Sequence, residues 1–299
     1  MYNETMYERG NAPSAIRELF AYGMERKAQI GEDKVFDFSI GNPSVPAPDS
    51  VAETIRELAD MAPAQLHAYS AAQGLESTRA AIAENLNKRF GTHYTADNLY
   101  LTMGAAACLS ACFTALIKPG DEIIVIAPYF PEYRIWIEFA GGVCVEVPAR
   151  EDNFQIDLDA LEQAITEKTK AVVINTPNNP VGTVYTRETL EGLADVLVQA
   201  EQRFGHDIYL ISDEPYRELT YGVEVPWVPA IYPNTLVCYS WSKSLSLPGD
   251  RIGYVLVPNE VHDSREVYLA VCGAGRSLGY ICAPVFFQRV IERCVDEPT

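Results

Sequence analysis

From residue 98 onward the chain alternates short apolar runs with amphipathic stretches, and this alternation constrains the fold more than any other feature. The apolar runs, rich in β-branched residues, occupy positions 98–102, 122–127, 143–147, 171–175, 207–212, 235–240 and 252–257. Near-continuous apolar runs of this length suit strands buried on both faces. Helical segments lie between most of them, at 105–117, 131–140, 158–165 and 187–204, and two more follow at 260–278 and 283–294. The pattern predicts a three-layer α/β/α domain around a mostly parallel, seven-stranded sheet. Upstream, an amphipathic helix is expected over 13–30 and a short strand over 36–40. Pro43, Pro46 and Pro48 then break the chain, and helices are expected over 50–61 and 75–90.

The polar clusters have a position in common. Gly104, Phe130, Asn179, Asp213 and Lys243 each lie shortly after the end of an apolar run. In open α/β sheets ligands bind in the crevice outside the carboxyl ends of the strands. Five such clusters on one edge therefore predict a single site.

Each cluster has an ordinary reading and a chemical one. Lys243, in Ser240-Trp241-Ser242-Lys243, is by itself a surface lysine; it could also condense with an aldehyde cofactor and then serve as a base. Ser240, Ser242 and Arg251 could hold a phosphate, the arginine with two parallel hydrogen bonds. Gly104-Ala105-Ala106 opens a helix directly after a strand, which suits either close packing or an anion at the helix N-terminus. Asp213, in Asp213-Glu214-Pro215-Tyr216, is equally readable as a helix N-cap or as the partner of a protonated ring nitrogen. The loop 175–182, with Asn179, is a plain turn or a donor to a phenolate oxygen. Phe130 is core, or a ring stacked on a flat cofactor.

Charge and composition narrow the partners. With 23 basic and 41 acidic residues the net charge is −18, which repels phosphate backbones and argues against nucleic acid. An anionic cofactor would need local basic groups to overcome that field. The most apolar helical stretch, 105–117, is too short for a membrane span, and the N-terminus lacks the pattern of a secretory signal. Seven cysteines without a Cys-x-x-Cys pair, two of them at Cys108 and Cys112, read as small buried residues of a cytoplasmic protein rather than a metal site.

Taken together, Asn179-Pro180-Val181-Gly182, Asp213-Glu214-Pro215-Tyr216, Ser240-Trp241-Ser242-Lys243 and Arg251-Ile252-Gly253 resemble, in order and over nearly the whole chain, the fold-type-I pyridoxal-phosphate (PLP) enzymes. Within them the chain is most similar to the class I/II aminotransferases of the aspartate aminotransferase-like kind. The resemblance implies that Lys243 carries PLP as a Schiff base and moves a proton between the substrate α-carbon and the cofactor C4′. It implies Asp213 at the pyridine nitrogen and Asn179 and Tyr216 at the ring oxygen, with Phe130 stacked on the ring. The amides of Ala105 and Ala106 after Gly104, with Ser240, Ser242 and Arg251, would cradle the phosphate. Tyr69 matches a tyrosine that reaches the phosphate of a neighbouring subunit, so a homodimer with shared sites is implied. Gly41 and Asn179 match positions near the substrate carboxylate.

The expected reaction is ping-pong transfer of an amino group from an L-amino acid, aspartate among the candidates, to a 2-oxo acid. The rival readings are a C–S lyase of the same fold and a catalytically incomplete PLP-binding fragment. Two departures from the pattern stand out. Ala106 replaces a common Ser or Thr, and nothing after Leu278 resembles the C-terminal α+β domain whose arginine grips the substrate carboxylate. The expected organisation is thus an N-terminal arm with a segment of an incomplete small domain (1–47), a PLP-binding large domain (48–278), and a helix (279–299) leading toward a missing domain.

Overall fold

A computed structural model describes residues 1–12 and 15–297. They fall into two compact units, Met1–Val45 and the chain from Pro46 onward. In the first unit, helix α1 (Glu4–Asn11) starts where the Asn3 side chain accepts the Met6 amide, and α2 spans Ala15–Ile30. Pro13, the expected start of α2, lies outside the described residues. The strand expected over 36–40 does not form. A lone extended segment leaves its backbone groups unpaired, and no described strand of this unit lies alongside it. Phe36 and Phe38 are 82% and 92% exposed, so the apolar period buries nothing. Asp37 fixes the segment locally, accepting from Lys27 Nζ at 3.1 Å and from Ser39 Oγ at 2.6 Å.

The second unit contains all seven strands: β1 (Leu99–Thr102), β2 (Glu122–Ala127), β3 (Val143–Pro148), β4 (Thr169–Asn175), β5 (Tyr209–Asp213), β6 (Thr235–Ser240) and β7 (Gly253–Leu256). Their order across the sheet is β1-β7-β6-β5-β4-β2-β3. Strands β2 to β6 pair in parallel, and β7 runs antiparallel to both β1 and β6. The helices are α3 (Asp49–Ala59), α4 (Pro63–Leu66), α5 (Glu76–Phe90), α6 (Ala105–Leu116), α7 (Glu132–Phe139), α8 (Leu158–Ala164), α9 (Arg187–Phe204), α10 (Trp241–Ser244), α11 (Ser264–Ser277) and α12 (Val285–Cys294).

Strand alternation sorts the core into layers. Tyr100, Ile123, Val125, Val173, Ile211, Cys238 and Val255 point to one face and pack with Leu109 and Phe113 of α6, Ile137 of α7 and Val271 of α11. Their sequence neighbours point the other way. Ile124, Val172 and Leu210 meet Leu161 of α8 and Leu193 and Leu197 of α9. Leu101, Val237 and Leu256 meet Leu58 of α3, Ile82 of α5 and Val290 of α12. Full burial of each such side chain contributes about 2 kcal/mol, which is why the inner strands read as apolar on both faces, whereas the edge strand β3 is largely exposed. Cys108 and Cys112 are fully buried on α6, with Cys112 Sγ 3.7 Å from Cys238 Sγ. Among the described residues no helix is long and apolar enough to cross a membrane.

The segment after α11 belongs to the same compact unit. Gln288 of α12 is fully buried; its Oε1 accepts the Leu75 amide at 2.6 Å and its Nε2 donates to Ala283 O at 2.8 Å.

Candidate active site

The parallel register places Asn175, Asp213 and Cys238 side by side at the carboxyl ends of β4, β5 and β6. On the other side of the sheet, Thr102 and Ser240 both lie opposite Gly253. Because β7 is antiparallel to both of its neighbours, β1 and β6 run in the same direction, and their ends open on one edge.

Asp213 is the chemical centre of this edge. It ends a strand and no helix starts after it, so the N-cap reading is set aside. The residue is 6% exposed, and its Oδ2 accepts the Tyr133 hydroxyl at 2.5 Å. Its Oδ1 is buried and has no partner among the described residues. Burial raises the carboxyl from its ordinary value to about 7, the Tyr133 bond opposes the rise, and the charge of Glu214 adds to it. An unpaired buried carboxylate oxygen is costly. A cationic N–H donor at that oxygen would remove the cost and keep the group ionised.

Sequence reasoning misses Tyr133, which carries no local mark that separates it from a core aromatic. It sits three residues after Phe130 at the start of a helix, on the same face. The Phe130 and Tyr133 rings meet edge to face, 5.9 Å apart at 85°. Asn175 was missed too. Its Nδ2 donates to Asp213 O at 2.8 Å, and its Oδ1 accepts the Asn179 amide at 2.6 Å. One asparagine therefore ties the Asn-Pro loop to the end of β5. Burial pushes the Tyr216 phenol up, the Asp213 charge adds to this, and a side-chain hydrogen bond with Asn179 opposes it. Asp213, Tyr216 and Asn179 are thus brought together.

Lys243 lies in α10, directly after β6, and is half-buried. Desolvation lowers its pKa, which enlarges the neutral, nucleophilic fraction of the amine. Ser240 and Ser242 are buried beside it, with their hydroxyls 3.2 Å apart. Gly104, at φ 83°, precedes α6; a Cβ there would come within 3.0 Å of Arg251 Nη2. Arg251 is exposed, adopts a left-handed φ of 53°, and donates from Nη1 to Pro248 O at 2.9 Å. The guanidinium, the two serines and the first amides of α6 could together cradle an anion, a use to which helix N-termini are suited.

The cradle depends on Gly253. A Cβ at this position would lie 2.4 Å from Tyr239 O and 3.0 Å from Gly104 Cα. Gly253→Ala is expected to cost about 3 kcal/mol, read as a fall in Tm of roughly 6 °C or more. An unchanged melting curve would show that the close approach of the two backbones is not needed.

Of the other two expected site residues, Tyr69 is a surface side chain, 96% exposed, and Gly41 belongs to the unit Met1–Val45.

An ionisable carboxylate, a desolvated lysine and an anion cradle on one sheet edge can hold a flat, phosphorylated heterocycle with a cationic ring. Residues 33–278 match the family described as aminotransferase class I and II. The chain belongs to this family. Among class I and II aminotransferases it is 37% identical to aspartate/prephenate aminotransferase of Thermus thermophilus over 251 residues, which is 83% of this chain and 62% of that protein. Aspartate aminotransferase of Pyrococcus abyssi is 33% identical over 273 residues, 87% of this chain and 65% of that one. A solved amino transferase from Eubacterium rectale superposes with a TM-score of 0.96 at 58% identity, covering 99% of this chain and 75% of that chain. Aspartate aminotransferase from Thermus thermophilus with maleate gives 0.84 at 30% identity, covering 99% and 73%. The chain thus spans about 62% of the length of the first curated relatives that it matches. In this chain Asp213 ends β5, Lys243 lies in α10 directly after β6, and Asn179, Tyr216 and Arg251 lie between the regular elements.

Proposed function

We propose that this chain binds pyridoxal 5′-phosphate through Lys243 and takes part in transamination between an L-amino acid and a 2-oxo acid. The observation that carries the reading is the unpaired Oδ1 of Asp213, a buried acceptor in want of a cationic donor. When bound, the cofactor supplies an electron sink for the charge released at the substrate α-carbon. The chain's own residues do the rest. Asp213, held by Tyr133, keeps a ring nitrogen protonated. Asn179 and Tyr216 donate to the ring oxygen, and Phe130 covers one ring face. The amides of Ala105 and Ala106, with Ser240, Ser242 and Arg251, bind the phosphate. Lys243, with its lowered pKa, accepts the α-proton and returns it at C4′.

Aspartate is the first donor to test, because the relatives are named for it. Exposed Tyr69 supports a homodimer in which it reaches a second copy's phosphate. Gly41 is proposed for the substrate carboxylate on its sequence pattern alone. All seven cysteines are free, which fits a reducing cytoplasm. No feature of the site favours elimination from cysteine conjugates over transamination.

The test is a spectral titration. Adding PLP to the purified chain should give a visible absorbance band, and aspartate should then bleach it. A chain that gives no band at any concentration would end the proposal. Tyr133→Phe removes the hydroxyl donor to Asp213 Oδ2 and should weaken PLP about tenfold in the same titration. Unaltered affinity would mean that Tyr133 only fills space.

A further inference from the structure

Beside the Lys243 turn the packing is incomplete. A cavity of about 310 Å3 lies there, lined among others by Arg89, Glu218, Tyr239, Trp241, Ser244 and Tyr254. Interiors normally fix a backbone by packing, and a cavity removes those contacts on one side. The turn's internal bonds are also long: Leu245 N to Trp241 O is 3.4 Å, Ser246 N to Lys243 O 3.3 Å, and Leu247 N to Trp241 O 3.2 Å. A four-residue helix with such bonds does not hold itself in place. Trp241, Leu245 and Leu247 anchor the ends of the turn in the core, and Ser244, between them on the cavity wall, is held by a side-chain hydrogen bond.

A chain of side-chain hydrogen bonds runs along the cavity wall. The Tyr239 hydroxyl lies 2.8 Å from Ser244 Oγ and 3.0 Å from Glu218 Oε2. The other oxygen of Glu218 accepts from Arg89 Nη2 at 2.8 Å. A phenol has a single proton, so Tyr239 donates to the carboxylate and accepts from the Ser244 hydroxyl. The Tyr239 ring is itself clamped, stacked on Tyr254 at 5.2 Å and edge-on to Trp241 at 5.4 Å. The two ends of this chain are informative. Ser244 follows Lys243. Glu218 follows Tyr216 by two residues, in a turn closed by Leu219 N to Tyr216 O at 2.8 Å.

We propose that Tyr239 is a positioning residue that locks the Lys243 turn to the Tyr216 turn from the side facing away from the cofactor. The two cofactor-facing groups come from different loops, and the Ser244–Tyr239–Glu218 bridge holds them at a fixed separation. Pre-organisation of this kind keeps a reactive group within a fraction of an ångström of its working position. The inference rests on the PLP reading for its catalytic consequence, but the lock itself is measurable without cofactor.

The experiment compares wild type with Tyr239→Phe, Ser244→Ala and Ser244→Thr. In the cofactor-free protein, hydrogen exchange of the amides at 243–247 should speed up about fivefold in Tyr239→Phe and Ser244→Ala, as expected for losing one hydrogen bond. Ser244→Thr keeps the hydroxyl and has the cavity to accept its methyl group, so it should exchange like wild type. With PLP bound, the first two variants should lower cofactor affinity and kcat about fivefold each, with KM nearly unchanged, and the double variant should lose no more than either single one. Exchange at 243–247 unaltered in both single variants would overturn the lock, whatever happened to Tm. If wild type binds no PLP, the reading of the site fails while the exchange result still decides the lock. Should Tyr239→Phe not fold, Ser244→Ala carries the same decision.

Discussion

Lys243→Ala is expected to abolish the visible PLP band and to cut turnover by about 10⁴-fold or more, because one residue supplies both the covalent link and the base. The folded state should survive, since Lys243 is only half-buried, in a short helix. Small primary amines should restore part of the rate by reaching the space that the side chain vacates. The sharper control is Lys170. Burial lowers the pKa of this lysine as well, and its ammonium lies 4.9 Å from the centre of the Tyr209 ring. Yet Lys170 is the second residue of β4, at the amino end of the strand, whereas Lys243 follows the carboxyl end of β6. Desolvation alone therefore cannot pick the reactive lysine; position on the sheet does. Lys170→Ala should keep the band. A Lys243→Ala protein that still forms it would transfer the link to another lysine and undo the site.

Asp213→Asn should split stability from function. In the cofactor-free protein the Asp213 pKa is raised from 3.8 to about 7. The folded state therefore binds this proton more tightly than the unfolded state does. The penalty is absent below pH 3.8, grows as pH rises through the interval, and is complete above pH 7, where it amounts to ~4 kcal/mol. Asparagine carries no charge, so the variant should melt about 8 °C above wild type at pH 8, with the gain vanishing near pH 4. With PLP bound the order should reverse. A cationic ring favours the ionised carboxylate, and the amide cannot hold the ring proton, so turnover should fall about 10³-fold. Equal melting points of the two apo proteins at pH 8 would show that the unpaired oxygen is not under strain. Full activity in Asp213→Asn would remove the aspartate from the mechanism.

The strands were legible in the sequence because two-sided burial leaves an unbroken apolar run. The loop residues were legible because their types are unusual just past such runs. Contacts made between distant segments were not. Tyr133 reaches Asp213 across 80 positions of sequence, and nothing around Tyr133 distinguishes it from a core aromatic. Tyr239 likewise reads as one more apolar residue of β6. The 252–257 run looks like its parallel neighbours, so the antiparallel direction of β7 had no local signal. Residues 36–40 show the converse. Their apolar period is real, but a strand needs a neighbour, and period alone cannot supply one.

The sheet order also bears on how the protein is made. Strand β7, at residues 253–256, inserts between β1 and β6, so Leu99 pairs with Leu256. While the chain is being synthesised, β1 (Leu99–Thr102) has no strand neighbour until β7 (Gly253–Leu256) has been made. The proposed phosphate cradle, which draws Gly104 from one side of β7 and Ser240 from the other, is accordingly among the last parts to assemble. Nascent chains arrested before residue 253 should hold the β2–β6 core and bind no cofactor, and those released just beyond residue 256 are the earliest that could recruit it.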